Sequence, residues 1–212
     1  MRFAAIAIAG LLAAATPASA ANWSVIGAQT VGSGADVLYG EFGWPDVSLN
    51  YVHGMGHDFD LGGRMQLIYG IEGRTHTEFG MAFAVPLRWT FYRHKNVSML
   101  LHGDPGIRFY ATDPALFALQ LIPFGVNFEV QPTRDIKVGM GMDFTSHLFV
   151  SGVGDGVLYS FGPLFGPFVE YHFDPQVAVG IDTRFGVNVL TQDGNTNTEF
   201  AFRAQAVLAY RL

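Results

Sequence analysis

Large apolar side chains occupy every second position over much of the chain, which is the period of a β-strand and not of a helix. Residues 78–92, EFGMAFAVPLRWTFY, are typical, because glycine, alanine, threonine and single charges separate the bulky positions. Ten stretches of this kind predict ten antiparallel strands, or eight if the first two are irregular. The predicted strands are residues 37–43, 47–53, 59–71, 78–92, 97–102, 122–130, 136–144, 157–171, 177–185 and 200–212.

Short polar segments connect these strands, such as residues 93–96, 131–135 and 174–176. Glycine, proline, asparagine and aspartate in such segments are turn-forming residues. Connections this short predict hairpins on both sides of the sheet, with no large receptor, adhesin or plug domain between strands. Five prolines fall inside or beside predicted strands, at positions 86, 105, 123, 163 and 167. Because proline removes a ladder donor, we expect bulges or positions near the membrane boundary there.

The less bulky face of each strand shows which environment the bulky face meets. In a soluble barrel, that other face would meet water and carry many lysines, glutamates and serines. Here it carries mostly glycine and alanine with scattered charges, and charged residues are only 14% of the chain against 50% hydrophobic ones. A usual soluble domain is about one quarter charged. The pattern favours a closed antiparallel barrel with apolar side chains facing lipid and small or charged ones facing a narrow lumen.

The first twenty residues have the features of a secretory signal peptide. Arg2 supplies a positive charge, an apolar run follows to Ala15, and Ala18-Ser19-Ala20 offers small residues for cleavage. We therefore expect residues 1–20 to be removed and residues 21–212 to form the barrel domain. The chain has no cysteine, which rules out disulfides and thiolate chemistry.

With its signal peptide, two-faced strands and C-terminal strand FAFRAQAVLAYRL (residues 200–212), the chain resembles small bacterial outer-membrane β-barrel proteins. The family more often ends in phenylalanine, where this chain has Leu212. The resemblance implies an up-and-down transmembrane barrel in the bacterial outer membrane, surrounded by its lipids. It also implies that the last strand is recognised by the barrel-assembly machinery, and it carries no catalytic motif. Aromatic residues near predicted strand ends fit interfacial girdles, namely Trp89, Phe91, Tyr92, Phe109, Tyr110, Tyr171 and Phe173.

Charged residues on the inward face form the candidate site. They are Arg64, Glu78, Arg88, Arg108, Glu129, Lys137, Asp143, Glu170, Asp182, Arg184, Glu199 and Arg203. Glu129 and Lys137 flank the 131–135 turn at equal distance, so we expect them opposite each other across a hairpin. The set has two interpretations: a charge network that fills a narrow barrel, or the selectivity lining of a small pore or pocket.

Two other clusters are weaker candidates. His53, His57, Asp58 and Asp60 lie close in sequence, but their glycine-containing segment predicts a polar turn and not a metal site. Asp143, Ser146 and His147 are residue types of a nucleophilic site. However, neighbours on a strand point to opposite faces, so Ser146 and His147 cannot pair without a bulge. We expect no catalytic residue, no metal and no cofactor.

The sequence thus predicts a non-enzymatic outer-membrane barrel, which is either structural or a narrow passive channel for small solutes. A monomer is compatible with this prediction. Two alternatives remain: a lipid-modifying outer-membrane enzyme and a soluble periplasmic ligand-binding barrel. The net charge of −6 and the absence of a basic cluster argue against nucleic acid as a partner.

Overall fold

The computed structural model describes residues 22–70, 79–112, 115–120, 123–151, 157–192 and 194–212. The fold is an antiparallel β-sheet of thirteen segments. They are β1 (Asp36–Trp44), β2 (Asp46–Gly54), β3 (Phe59–Ile68), β4 (Gly80–Ala84), β5 (Leu87–His94), β6 (Val97–Gly103), β7 (Gly106–Tyr110), β8 (Leu116–Gln120), β9 (Phe124–Val130), β10 (Ile136–Ser151), β11 (Val157–His172), β12 (Val177–Gln192) and β13 (Asn195–Arg211).

Three pairs of segments each make one interrupted strand, so the sheet has ten strands and closes on itself. β4 and β5 both pair with β3, β6 and β7 face them, and β8 and β9 both pair with β10. β13 pairs with β1, from Val37 opposite Arg211 to Trp44 opposite Ala204. The predicted all-β antiparallel barrel is confirmed, with ten strands and not eight. Closure leaves no sheet edge, because every strand has two neighbours.

The three interruptions lie at one level of the wall and contain three of the five prolines. Pro86 separates β4 from β5, Pro105 separates β6 from β7, and Pro123 precedes β9. Proline carbonyls still accept bonds across this level, from the Gly62 amide to Pro86 and from the Val85 amide to Pro105, both at 2.9 Å. The wall is thus continuous but lacks the donors that proline cannot supply.

The other two prolines, Pro163 and Pro167, lie inside the unbroken strand β11. The ladder from β11 to β10 continues past both of them, with Pro163 opposite Phe144 and Pro167 opposite Met140. The ladder to β12 has no paired residue at either proline. The missing donors are therefore on the β12 side, and a closed sheet accommodates them without a bulge.

The two ends of the barrel differ. At the terminal end, where β1 begins and β13 ends, residues 22–35 enter the barrel, and residues 23–31 are buried in it. We call residues 22–35 the inner segment. Trp23 and Val31 of this segment are fully buried and pack in one cluster with inward residues of β1, β2, β11, β12 and β13. Strands β10 to β13 are 16 or 17 residues long and extend further towards the opposite, distal end than β1 and β2, which have nine residues each.

The outer surface of the wall is apolar around the barrel. Phe79, Phe165 and Phe200 are 62%, 58% and 66% exposed. Tyr110 was predicted in an outer aromatic girdle, and this prediction is wrong: the side chain is 2% exposed and packs inside the distal end with Phe149. Its neighbour Phe109 takes the outward position, as alternation requires. Among the described residues, no helix has the length and apolar character needed to cross a membrane.

Candidate functional site: the barrel lumen

The inner segment crosses the terminal half of the lumen, where charged side chains bind its backbone. Glu170 accepts bonds from the Ser24 hydroxyl at 2.9 Å and from the Val25 and Ile26 amides at 3.1 and 3.2 Å. Glu170 is 1% exposed. A buried carboxylate is tolerated only when hydrogen bonds replace its water, and here the inner segment supplies several of them.

Two more carboxylates bind the inner segment further along. Glu129 accepts from the Ala28 amide and from the Gln29 side-chain amide, each at 2.7 Å. The Val31 amide donates to both oxygens of Asp60, at 3.1 and 3.2 Å. Because Glu129 and Asp60 are fully buried, the segment passes from one wall carboxylate to the next.

Two cations bind the carbonyls of the same segment. Arg88 donates to the carbonyls of Ser24 and Gln29 at 2.8 and 3.1 Å, and lies 3.3 Å from Asp60. Lys137 donates to the Trp23 carbonyl. Charges of both signs therefore satisfy both kinds of backbone group in a segment that has no strand partner of its own.

The register around Lys137 differs from the expected one. Glu129 lies opposite Gly139, and Lys137 lies opposite Glu170 on the other neighbouring strand. The prediction that Glu129 and Lys137 are directly opposite is wrong, because the 131–135 turn is asymmetric and shifts the pairing by two residues. All three side chains still point into the lumen.

The middle of the lumen contains a second group of charges, which pair with one another. Arg203 lies 2.6 Å from Asp143 and 3.0 Å from Asp182. Arg184 also pairs with both carboxylates, 3.3 Å from Asp143 and in direct contact with Asp182. His102 lies 3.1 Å from Asp143. Two carboxylates and two guanidinium groups thus balance in charge across β10, β12 and β13.

Arg64 and Arg108 extend this network towards β1 and β8. Arg64 lies 2.8 Å from Asp104 and 3.1 Å from Glu41, two carboxylates that were not among the predicted site residues. Arg108 donates to the Gln120 side chain at 3.1 Å. Glu41 could have been found from its inward parity on the predicted strand 37–43, whereas Asp104 lies beyond the predicted strand 97–102.

Small cavities remain between these charges. Two cavities of about 60 Å³ each are both lined by Arg64, His102, Asp104, Arg203 and Gln205, and are therefore adjacent. A space of this size holds a few water molecules and no larger solute. Val25 and Ile26 of the inner segment line one of them, so the polar space ends against that segment.

Apolar side chains narrow the lumen again at the distal end. Ile68, Ala82, Tyr110, Ala118 and Phe149 are buried together there. The charged middle therefore lies between the inner segment on one side and this apolar cluster on the other.

Two further predicted site residues lie elsewhere. Glu78 lies outside the described residues. Glu199 is half-buried near the distal end of β13 and accepts a bond from Asn197 at 3.0 Å. The other ten predicted residues point into the lumen, four of them at the terminal end and six in the middle.

The two weaker candidate clusters separate in the structure. The His53 ring lies 2.7 Å from Asp36, whereas Asp60 points into the lumen. Ser146 bonds the Tyr159 hydroxyl at 3.0 Å on the outer side, and His147 is 5% exposed on the inner side. Among the described residues, no three histidine or acidic side chains are grouped so that they could hold a metal ion.

The inner segment is what sequence reasoning missed. Its apolar residues Trp23, Val25, Ile26 and Val31 do not alternate, so no strand pattern marked them. A signal was present nonetheless. Four predicted inward charges, at positions 88, 129, 137 and 170, fall near the same strand ends, and such a group needs partners that the opposing wall alone does not supply.

Comparison with known proteins identifies no family for this chain. No protein-family model and no curated protein matches the chain. Among solved structures, the chain is similar to the N-terminal β-barrel domain of OprF from Pseudomonas aeruginosa, at 8% sequence identity and a TM-score of 0.30. The match covers 85% of this chain and 99% of that domain. A TM-score this low carries no argument, so the fold assignment rests on the strand pairing itself.

Proposed function

We propose that the chain is an integral β-barrel of the bacterial outer membrane whose polar lumen the inner segment closes from the terminal end. In this view the barrel is a structural element of the membrane and a potential narrow passage for small ions. The terminal end faces the periplasm, as in the family that the sequence resembles. Catalysis is not part of the proposal, and Asp143, Ser146 and His147 supply no nucleophile–base pair for it.

The observation that carries the proposal is the inverted distribution of side chains across the wall. Phe79, Phe165 and Phe200 are more than half exposed, while Lys137, Glu129 and Arg184 are at most 1% exposed. Soluble proteins rarely expose apolar patches of more than a few hundred Å². A wall that is apolar outside and polar within has the arrangement that a bilayer stabilises, because every strand pairs with a neighbour on each side.

The lumen supports a closed passage more than an open pore. The charges of the middle group balance in sign, and the adjacent cavities admit only a few waters. The contacts of Glu129, Glu170 and Arg88 hold the inner segment in the terminal half of the lumen, beside a cavity of about 480 Å³ at the terminal mouth. Membrane lipids and, through the strand that ends in Leu212, the barrel-assembly machinery are the partners this proposal requires.

Cell fractionation and gel mobility test the proposal. We expect the protein in the outer-membrane fraction, extracted only by detergent, and running faster on a gel before boiling than after it. In planar bilayers the intact chain should give little or no conductance. Release from cells without detergent would contradict the proposed location, and large steady conductance would contradict a closed lumen.

A further inference from the structure

The outer wall has a groove next to the three-proline level. It encloses about 530 Å³ and is lined by Phe59, Leu87, Trp89, Leu101 and Phe124. Gly103 also lines it and has no side chain to fill it. Its volume lies within the range of small-molecule sites, although its lining is almost wholly hydrocarbon.

The groove has a direction. From its proline end, β5 runs through Leu87 and Trp89 towards the terminal end of the barrel. A register shift between Thr90 and Tyr92 then turns both Phe91 and Tyr92 outward, and they are 44% and 45% exposed. Two adjacent aromatic side chains on the outer face are typical of the level where lipid chains meet headgroups.

Polar groups without partners follow directly. His94 and Lys95 are exposed at the tip of the β5–β6 hairpin. The side chain of neither makes an ion pair or hydrogen bond within the described part of the chain. Lys95 has a φ of 53°, so the backbone itself turns at this residue. Arg93 bonds the Thr30 hydroxyl at 3.4 Å and lies 3.8 Å from Asp58, and Arg93 and Lys95 both line the cavity at the terminal mouth.

The spacing between the groove and these groups fits one leaflet. Five residues separate Trp89 from His94, and at about 3.3 Å per residue and a tilt of about 40° this is roughly 13 Å of depth. Half of a bilayer's hydrocarbon core is about 15 Å. A chain in the groove would therefore place its headgroup beside Tyr92, His94 and Lys95.

We propose that this face binds one anionic glycerophospholipid of the leaflet at the terminal end, with an acyl chain in the groove and its phosphate at the Tyr92, His94 and Lys95 hairpin tip. The hydroxyl, ring and ammonium donors match the phosphate oxygens, and the apolar lining matches the chain. This inference rests on the proposed membrane location.

Native mass spectrometry of the detergent-purified barrel tests it, with dioleoylphosphatidylglycerol as the probe. Leu101→Trp fills the groove, and its control is Ile181→Trp on a strand four to five places away around the barrel. Lys95→Asn removes the charge while tolerating the left-handed turn, and its control is Arg134→Asn on another terminal hairpin. Both controls start from exposed side chains.

We expect the intact barrel to retain one lipid. Leu101→Trp should weaken retention about tenfold and Lys95→Asn about fivefold, with both controls within about twofold of the unchanged chain. Dioleoylglycerol, which lacks the phosphate, should bind more weakly, and millimolar inorganic phosphate should not displace the lipid.

Equal losses in the controls, equal binding of dioleoylglycerol, or displacement by inorganic phosphate would each overturn the inference. Each variant is checked for heat-dependent gel mobility before titration. A chain that is not membrane-bound at all contradicts the proposed function, whereas a membrane-bound barrel that retains no lipid contradicts only this site.

Discussion

The two halves of the lumen use similar charged side chains in different ways. At the terminal end, Glu129, Glu170 and Arg88 bind backbone groups of the inner segment. In the middle, Asp143 and Arg203 bind side chains on neighbouring strands. Alternation determines that a charged side chain points into the lumen. Its role then depends on whether its partner is a backbone group of the inner segment or another side chain.

The difference has an energetic consequence. Removing one partner from a buried charge pair is costly, because the other charge is left without compensation. In the middle group several side chains share each carboxylate, so one loss is partly compensated. At the terminal end the charges share one peptide segment as a partner, and displacement of that segment removes hydrogen bonds from all of them together.

Deleting residues 22–35 should have the largest effect. Bilayers containing the shortened barrel should show discrete small-ion conductance steps that the intact chain lacks, since no other described segment crosses the terminal half of the lumen. A synthetic peptide with the sequence of residues 22–35, added on the terminal side, should suppress the steps, whereas a scrambled peptide should not. Unchanged conductance after deletion would contradict the closing role of the inner segment.

Arg88→Met should cause the next largest effect. It leaves Asp60 buried without its cation and should lower the free energy of unfolding in vesicles by about 3–5 kcal/mol, as measured by urea titration. Adding Asp60→Leu should recover part of the loss, because the uncompensated charge is then gone. Arg134→Met, on an exposed turn, should change it by less than about 0.5 kcal/mol. Equal effects of the two arginine variants would argue against the buried contact.

The pair Glu129→Gln and Asp143→Asn compares the two halves directly. Each replaces a buried carboxylate by its amide and should cost about 1.5–3 kcal/mol of stability. Only Glu129→Gln should produce transient conductance steps, since it weakens the hold on the inner segment. Asp143→Asn, combined with the deletion of residues 22–35, should shift ion selectivity towards anions. Conductance steps in Asp143→Asn and none in Glu129→Gln would contradict the different roles of the two carboxylates.

The smallest expected effect comes from a matched pair of threonines. Thr90 donates to the Ala28 carbonyl at 3.0 Å, and Thr145 donates to the Gly162 carbonyl at 3.2 Å within the wall. Each change to valine should cost about 0.5–1.5 kcal/mol. Hydrogen exchange at Ala28 and its neighbours should rise only in Thr90→Val, and a similar rise in Thr145→Val would show that the halves are not separate.

The sequence predicts the wall well because alternation is a local property. Every second residue from Phe79 to Trp89 has to face the same side once the segment is a strand. A sheet in lipid must also close into a barrel, because open edges would leave backbone groups unpaired. The wrong prediction for Tyr110 did not use alternation. Tyr110 was placed outside because aromatic residues near strand ends are typical of girdles, but its side chain lies on the same side of the strand as Arg108.

The contents of the lumen could not be predicted in the same way. The inner segment has no period, and its position depends on contacts with residues as distant in sequence as Arg88, Glu129 and Glu170. The register of the 131–135 turn decides whether Lys137 faces Glu129 or Glu170, and turn asymmetry leaves no mark in the alternation on either side. The candidate charges could be named from their parity, but their partners could not.

Thiol labelling tests the closed lumen most directly, because the chain has no cysteine of its own. Ala28→Cys places a thiol at a fully buried position of the inner segment, and Ser33→Cys places one at an exposed position of the same segment. In the folded, membrane-inserted barrel, a charged maleimide should label Ser33→Cys quickly and leave Ala28→Cys unmodified until denaturant is added. Equal labelling of the two thiols in the folded barrel would show that residues 22–35 do not occupy the lumen.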